Sequence, residues 1–91
     1  QALRLGEVGI TSIPCEVLCE IGLTLKAKSP LPQATFTIEL ANGHNGYLPT
    51  PRQHALGGYE TWMGTCTLEI TASIKIEKAL LAMLEKVAAK K

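Results

Sequence analysis

Residues 33–40, Gln33-Ala34-Thr35-Phe36-Thr37-Ile38-Glu39-Leu40, alternate strictly between apolar and polar side chains after the first position. Successive side chains of a β-strand point to opposite faces, so this period of two predicts a strand with one apolar and one polar face. The apolar face carries Ala34, Phe36, Ile38 and Leu40. The segments that flank this strand then indicate which kind of sheet it joins.

A helix is predicted before this strand. Apolar residues recur there at helical spacing, at Val17, Leu18, Ile21 and Leu25. Glu16 is expected in the first helical turn, where negative charge is favourable. The run Ser29-Pro30-Leu31-Pro32 ends the helix, because proline lacks a backbone donor and disfavours a helical conformation in the residue before it.

The first thirteen residues predict two short strands or one bent ribbon, interrupted by a tight turn at Gly6-Glu7. Strand, helix and strand in this order predict a crossover unit whose two strands are parallel neighbours. Ligands of such open sheets bind beyond the carboxyl ends of the strands. Glu16 and residues 42–47 each follow a predicted strand, so they are expected at the same edge of the sheet.

A turn-rich segment follows, with the sequence Asn42-Gly43-His44-Asn45-Gly46-Tyr47-Leu48-Pro49-Thr50-Pro51-Arg52-Gln53-His54-Ala55-Leu56-Gly57-Gly58-Tyr59-Glu60. Its glycines and prolines exclude a continuous helix or central strand. Connectors this long are uncommon unless they are functional or disordered, and the aromatic and leucine residues argue against disorder. We therefore predict a functional loop over residues 42–64.

A long final helix is predicted after Thr71, which is a suitable N-cap. Two adjacent apolar stripes run along it, and they are expected to cover one face of the sheet. The predicted fold class is α/β, in the order β-β-α-β-loop-α with the last helix packed on the sheet. A broad apolar helix and an uncovered strand edge also predict self-association.

Composition limits the possible functions. The 91 residues suffice for a single domain at most, with 46% apolar residues, 19% charged residues and a formal net charge of +1. No basic patch for nucleic acid and no apolar run of about 20 residues for a bilayer is present, so neither partner is expected. Because strand-like sequence begins almost at Gln1, residues 1–91 are expected to be a single domain or part of a larger one, and the compartment stays open, a secreted or periplasmic parent being compatible with the sequence.

Several side chains in these segments could carry chemistry. Spacing alone leaves Glu16 and Tyr47 either as metal or substrate ligands in one cleft, or as a helix-dipole partner and a loop anchor. His44 and His54 are either ordinary loop residues or ligands. Cys15, Cys19 and Cys66 are either reduced thiols or, with His44, a zinc site in which Cys15 and Cys19 share one helical face. No nucleophile elbow, phosphate loop or His-Glu-x-x-His motif is present.

Three features together resemble a known family: Pro14-Cys15-Glu16 opening a helix, the run from Asn42 to Pro51 after the next strand, and Gly58-Tyr59-Glu60 further on. In this order they resemble the C-terminal part of the catalytic domain of neutral, non-lysosomal ceramidases, and still more their uncharacterised bacterial relatives. The resemblance covers most of the chain. It implies a zinc-dependent hydrolase that cleaves the amide bond of an N-acyl sphingoid base or another N-acyl lipid.

The resemblance also implies roles for individual residues. Glu16 and Tyr47 fall on the glutamate and tyrosine zinc ligands, and Tyr59 falls on a further active-site tyrosine. The two histidine ligands and a catalytic serine would lie in the N-terminal remainder of the domain, so they do not correspond to His44 or His54. This segment alone is then expected to be inactive. The alternative is a non-catalytic binding or assembly module that recognises a partner through the loop over residues 43–64.

Overall fold

The computed structural model describes residues 1–31 and 34–89, so Pro32 and Gln33, where the predicted helix stop ends and the predicted strand begins, lie outside the described residues. The strands are β1 (Ala2–Leu5), β2 (Val8–Ile13), β3 (Glu16–Val17), β4 (Ala34–Glu39) and β5 (Tyr47–Leu48). The helices are α1 (Cys19–Lys28), α2 (Pro51–Leu56) and α3 (Ala72–Ala89), with a 3-10 turn at Tyr59–Thr61. The predicted mixed α/β content and the C-terminal helix are confirmed. No helix within the described ranges is long and apolar enough to cross a bilayer.

Three strands form the main sheet in the order β1-β2-β4. β1 and β2 are an antiparallel hairpin whose turn contains Gly6 in the left-handed region, at φ +62°. β2 and β4 are parallel, with Val8 opposite Ala34 and Ile13 opposite Glu39. The parallel pairing predicted from the strand-helix-strand order is therefore confirmed.

The hydrophobic core lies between this sheet and the helices. Ile13 of β2, Ile21 and Leu25 of α1, and Leu80 of α3 are all buried in one cluster. Gly9 lets α3 approach the sheet, since a Cβ added there would lie 3.2 Å from Leu84 Cδ2. The C-terminal helix thus packs on the sheet, as the apolar stripes predict, and no helix of the described residues covers the opposite face of the sheet.

The polar face of β4, and not its apolar face, packs against the core. Its threonine face packs inward, where the Thr35 hydroxyl donates to Leu31 O at 3.0 Å and Thr37 Oγ1 lies 2.8 Å from Thr11 Oγ1. Hydroxyls paired in this way can be buried at little cost. The apolar side points away from the core, and Phe36 and Ile38 are 41% and 47% exposed.

A contiguous apolar surface results on that side of the sheet, because the strand register aligns Leu3 with Ile10 and Ile10 with Phe36. We call it the open sheet face. It consists of Leu3, Leu5, Val8, Ile10, Phe36 and Ile38.

The prediction that Glu16 lies in the first turn of a helix is wrong. Glu16 belongs to β3, and α1 begins only at Cys19, with Leu18 still extended at φ −74° and ψ 147°. The reason is pairing with a distant segment: the Glu16 N–H donates to Gly46 O at 2.9 Å. Cys15 consequently precedes the helix and shares no helical face with Cys19.

The predicted loop over residues 42–64 contains short regular elements that its composition did not reveal. In α2, the Thr50 side chain accepts from the Gln53 N–H and the Gln53 side chain accepts from the Thr50 N–H, forming a capping box. Arg52 of α2 bonds Glu20 of α1 at 2.7 Å, and this bond lowers the pKa of Glu20. The segment is therefore anchored to the body of the molecule.

Candidate functional site

A second, two-stranded sheet builds the candidate site. β3 and β5 are parallel, and Glu16 is directly opposite Tyr47. Asn45 fixes the approach of the second strand, because its backbone N and its side-chain Nδ2 both donate to Pro14 O, at 2.8 and 3.1 Å. Both strands begin just beyond the carboxyl ends of β2 and β4, as the sequence predicts for residues at one edge of the sheet.

The paired side chains point away from the core. Val17 and Leu48, the next pair of the ladder, pack into the core, so alternation places Glu16 and Tyr47 on the opposite side. There they line an open pocket of about 440 Å³ together with His44 and others. The pocket brings a carboxylate, a phenol and an imidazole to one place.

Aromatic rings extend the pocket wall. The Tyr47 and Tyr59 rings meet edge to face with centroids 5.8 Å apart, and Tyr59 and Trp62 do the same at 5.1 Å. The Thr65 hydroxyl donates to Tyr59 O and supports this turn. Trp62 and Met63 are 59% and 92% exposed, so an apolar surface continues outward from the pocket.

Negative charge surrounds the Tyr47 phenol. The charge of Glu16 is the largest cause that raises the pKa of Tyr47, and burial, Tyr59, Glu60 and Glu39 raise it further. The phenol alone therefore stays protonated at neutral pH. A cation bound between Glu16 and Tyr47 would reverse this effect, because it favours the phenolate.

The structure gathers the three residues predicted for the site, Glu16, Tyr47 and Tyr59, around one pocket. His44, which the resemblance leaves without a role, lies beside them with its Nε2 3.7 Å from Glu16 Oε2. The sequence feature that points to His44 is its position among residues 42–47. These residues follow the end of a predicted strand, at the same edge of the sheet as Glu16. His54 lies elsewhere, in α2, and its buried Nε2 has no hydrogen-bond partner among the described residues.

The alternative cysteine site is not assembled. Cys15 and Cys66 are buried whereas Cys19 is exposed. Burial raises the pKa of the Cys15 thiol, and Cys66 raises it further, so this thiol stays neutral. Within residues 1–31 and 34–89, no group of three or more His, Cys, Asp and Glu side chains could hold a metal ion. Tyrosine is not one of these residue types, so this absence does not bear on a site that uses the phenol oxygen of Tyr47.

A second groove, of about 240 Å³, lies between α1 and the free edge of β4. Leu23 and Phe36 line it, and Cys19 stands at its wall. It contains none of the residues predicted for catalysis or metal binding, so the pocket at Glu16 and Tyr47 is the better candidate for chemistry.

Comparison of the chain with models of known protein families, with curated proteins and with solved structures finds no match.

Proposed function

We propose that this chain is the C-terminal segment of the catalytic domain of a zinc-dependent amide hydrolase similar to neutral ceramidases. Glu16 and Tyr47 would be two of the zinc ligands, and Tyr59 would line the reacting centre. The observation that carries the proposal is the register of the small sheet, which pairs Glu16 with Tyr47 directly, next to the ring of Tyr59.

The donor set suits the ion. Zinc takes carboxylate oxygen readily, and although tyrosine is an uncommon ligand, the ion's own charge promotes loss of its proton. When bound, zinc would polarise an amide carbonyl and lower the pKa of a bound water. Glu16 would hold the ion through its carboxylate and Tyr47 through its phenol oxygen, and Tyr59 would donate a hydrogen bond to the oxyanion that develops at the carbonyl.

The surroundings support an N-acyl lipid as the substrate class. Leu56, Trp62 and Met63 are exposed apolar side chains of the 42–64 loop, and Trp62 is in contact with the active-site tyrosine Tyr59. An acyl chain could lie along this surface while its amide reaches the pocket. The two histidine ligands and the serine would come from the N-terminal remainder of the domain, so the segment alone would be inactive.

The test uses a longer protein that carries this segment behind the rest of its catalytic domain. We expect Glu16→Gln and Tyr47→Phe to lose both stoichiometric zinc and hydrolysis of an N-acyl lipid, and Tyr59→Phe to keep zinc while kcat falls. Glu85→Gln, the same chemical change on the exposed side of α3, is the matched control. Full zinc and undiminished hydrolysis in both Glu16→Gln and Tyr47→Phe would overturn the proposal.

The exposure of Leu56, Tyr59, Trp62 and Met63 also favours the second candidate, a binding or assembly module that uses the 43–64 loop. Trp62 is the only tryptophan of the chain and reports on this surface. In an assembly module, the partner would protect Trp62 from acrylamide quenching without any lipid present. In a hydrolase, protection would require an N-acyl lipid, so quenching in the longer protein, with its other tryptophans replaced, separates the two.

A further inference from the structure

The His44 imidazole and the Glu16 carboxylate lie close together without a direct hydrogen bond between them. Their nearest atoms, Nε2 and Oε2, are 3.7 Å apart, beyond the roughly 2.7–3.2 Å of an N–H···O hydrogen bond. Ligand atoms bound tetrahedrally to zinc at about 2.0–2.2 Å lie about 3.3–3.6 Å from each other. If the two side chains moved closer by a few tenths of an ångström, one ion could contact both of them.

The position of His44 is set by its neighbours along the chain. Asn45, the next residue, donates two hydrogen bonds to Pro14 O. Gly43, the preceding residue, lies against the Pro14 side chain, because a Cβ added at Gly43 would lie 3.3 Å from Pro14 Cβ. The imidazole side chain itself is 66% exposed, whereas the Glu16 side chain is 35% exposed. The backbone is thus held beside the pocket while the ring stays free to turn toward an ion.

Tyr47 supplies a third donor of a different kind. It is the register partner of Glu16 and lines the same pocket as His44. Glu39 and Glu60 add negative charge around its phenol, which favours a cation in this place. Imidazole nitrogen, carboxylate oxygen and phenol oxygen would together make three protein donors, enough to hold an ion in the isolated chain without the two histidines proposed for the longer protein.

We propose that His44 joins Glu16 and Tyr47 as the third donor of a transition-metal site that this chain holds by itself. The proposal rests on the proposed function for the first two donors, and it adds a ligand that the family resemblance does not supply. It also changes an expectation: with three donors, the segment binds zinc without the remainder of the domain.

The test measures zinc binding to the metal-free, fully reduced chain by isothermal titration calorimetry, with cobalt(II) absorption as a second readout of the ligand set. We expect one zinc per chain, and a loss of affinity in His44→Gln at least as large as the roughly 10–100-fold that removal of an outer partner of a metal ligand costs. Glu16→Gln and Tyr47→Phe should weaken binding similarly. His54→Gln removes the other imidazole, and Tyr59→Phe the other phenol, so both should bind as the parent does. Circular dichroism checks that each variant is folded.

Each contrary outcome has a distinct meaning. If His44→Gln binds normally while Glu16→Gln and Tyr47→Phe are weakened, the His44 ligand is refuted and the proposed function stands. If the parent chain binds no zinc, the self-sufficient site is refuted, and the longer protein still tests the other two ligands. If all three variants bind normally, or cobalt shows thiolate charge-transfer bands, the ion lies elsewhere and both proposals lose their basis.

Discussion

Gly46 adopts a backbone conformation that residues with a side chain rarely accept, with φ at +78°. A Cβ built on it would lie 2.6 Å from Thr65 O, closer than real Cβ contacts come. The same residue accepts the Glu16 N–H through its carbonyl and directly precedes Tyr47. The alignment of Glu16 with Tyr47 therefore depends on the absence of a side chain at position 46.

We predict that Gly46→Ala destabilises the fold by more than the roughly 1–2 kcal/mol that a left-handed conformation costs an ordinary residue, because the methyl group also collides with backbone. Urea unfolding measures the loss. Gly64→Ala is the matched control, since its Cβ would meet nothing within 4 Å and its φ is not in the left-handed region. Equal stability of the two variants would contradict the structure at this turn.

The pKa of the Tyr47 phenol should depend on the charge of Glu16. Since the charge of Glu16 is the largest cause of its raised pKa, Glu16→Gln should lower the pKa of Tyr47 toward the ordinary tyrosine value. Tyrosinate absorbance measures the titration, in a Tyr59→Phe background that leaves Tyr47 as the only tyrosine. Glu85→Gln in that background should leave the pKa of Tyr47 unchanged, whereas an equal shift in both variants would mean that Glu16 does not face the phenol.

Regular elements of this chain were predictable where they are long. The alternation of β4 and the apolar stripes of α3 are local patterns, and both elements are found where these patterns predict them. β3 and β5 have two residues each, too few to show any period, and they exist because Glu16 and Val17 pair with Tyr47 and Leu48. The spacing of Val17, Ile21 and Leu25 favoured an earlier helix start, but pairing with a distant segment decided otherwise.

Only part of the candidate site could be predicted from the sequence. Glu16 and Tyr47 could be placed together because parallel strands bring the residues that follow them to one edge of the sheet, whereas Tyr59 was named only through the resemblance to ceramidases. The contact of His44 with Glu16 could not be predicted, since it depends on how Asn45 and Pro14 fold the turn. The inward direction of Thr35 and Thr37 was equally hidden, because hydroxyl pairing has no signature in a hydrophobicity pattern.

The capping box of α2 is expected to contribute to the stability of the fold. Thr50 is buried, and its hydroxyl accepts the Gln53 N–H at 3.2 Å. Thr50→Ala should lower the free energy of unfolding by about 1 kcal/mol, the usual cost of losing such a cap. Chemical denaturation measures it, with Thr67→Ala as an exposed threonine control. A loss no larger than that of the control would mean that α2 contributes little to the folded state.

Both long helices contact the core side of the sheet, and within residues 1–31 and 34–89 no helix covers the open sheet face. Parallel strands are normally covered on both faces. Contiguous exposed apolar surface of this kind is typical of contact regions or of association.

We predict that the isolated chain self-associates through the open sheet face as its concentration rises. Phe36→Lys should lower the weight-average mass in sedimentation, because a charge on this face opposes its burial. Leu56→Lys introduces the same charge at an exposed leucine outside the sheet and should not alter association through the open sheet face. A monomer at every concentration, or an equal effect of both variants, would contradict the prediction.

The ladder between β3 and β5 has only two residue pairs and is separate from the main sheet. Short, partly exposed pairings open at a lower free energy than a buried core, so the pocket is present only for the fraction of time that this ladder is closed. An ion that binds the closed form alone raises that fraction by mass action. The amide protons of Glu16 and Tyr47, which donate to Gly46 O and Thr65 O, would then exchange with solvent more slowly in zinc than without it, and their exchange rates would measure how often the site is formed.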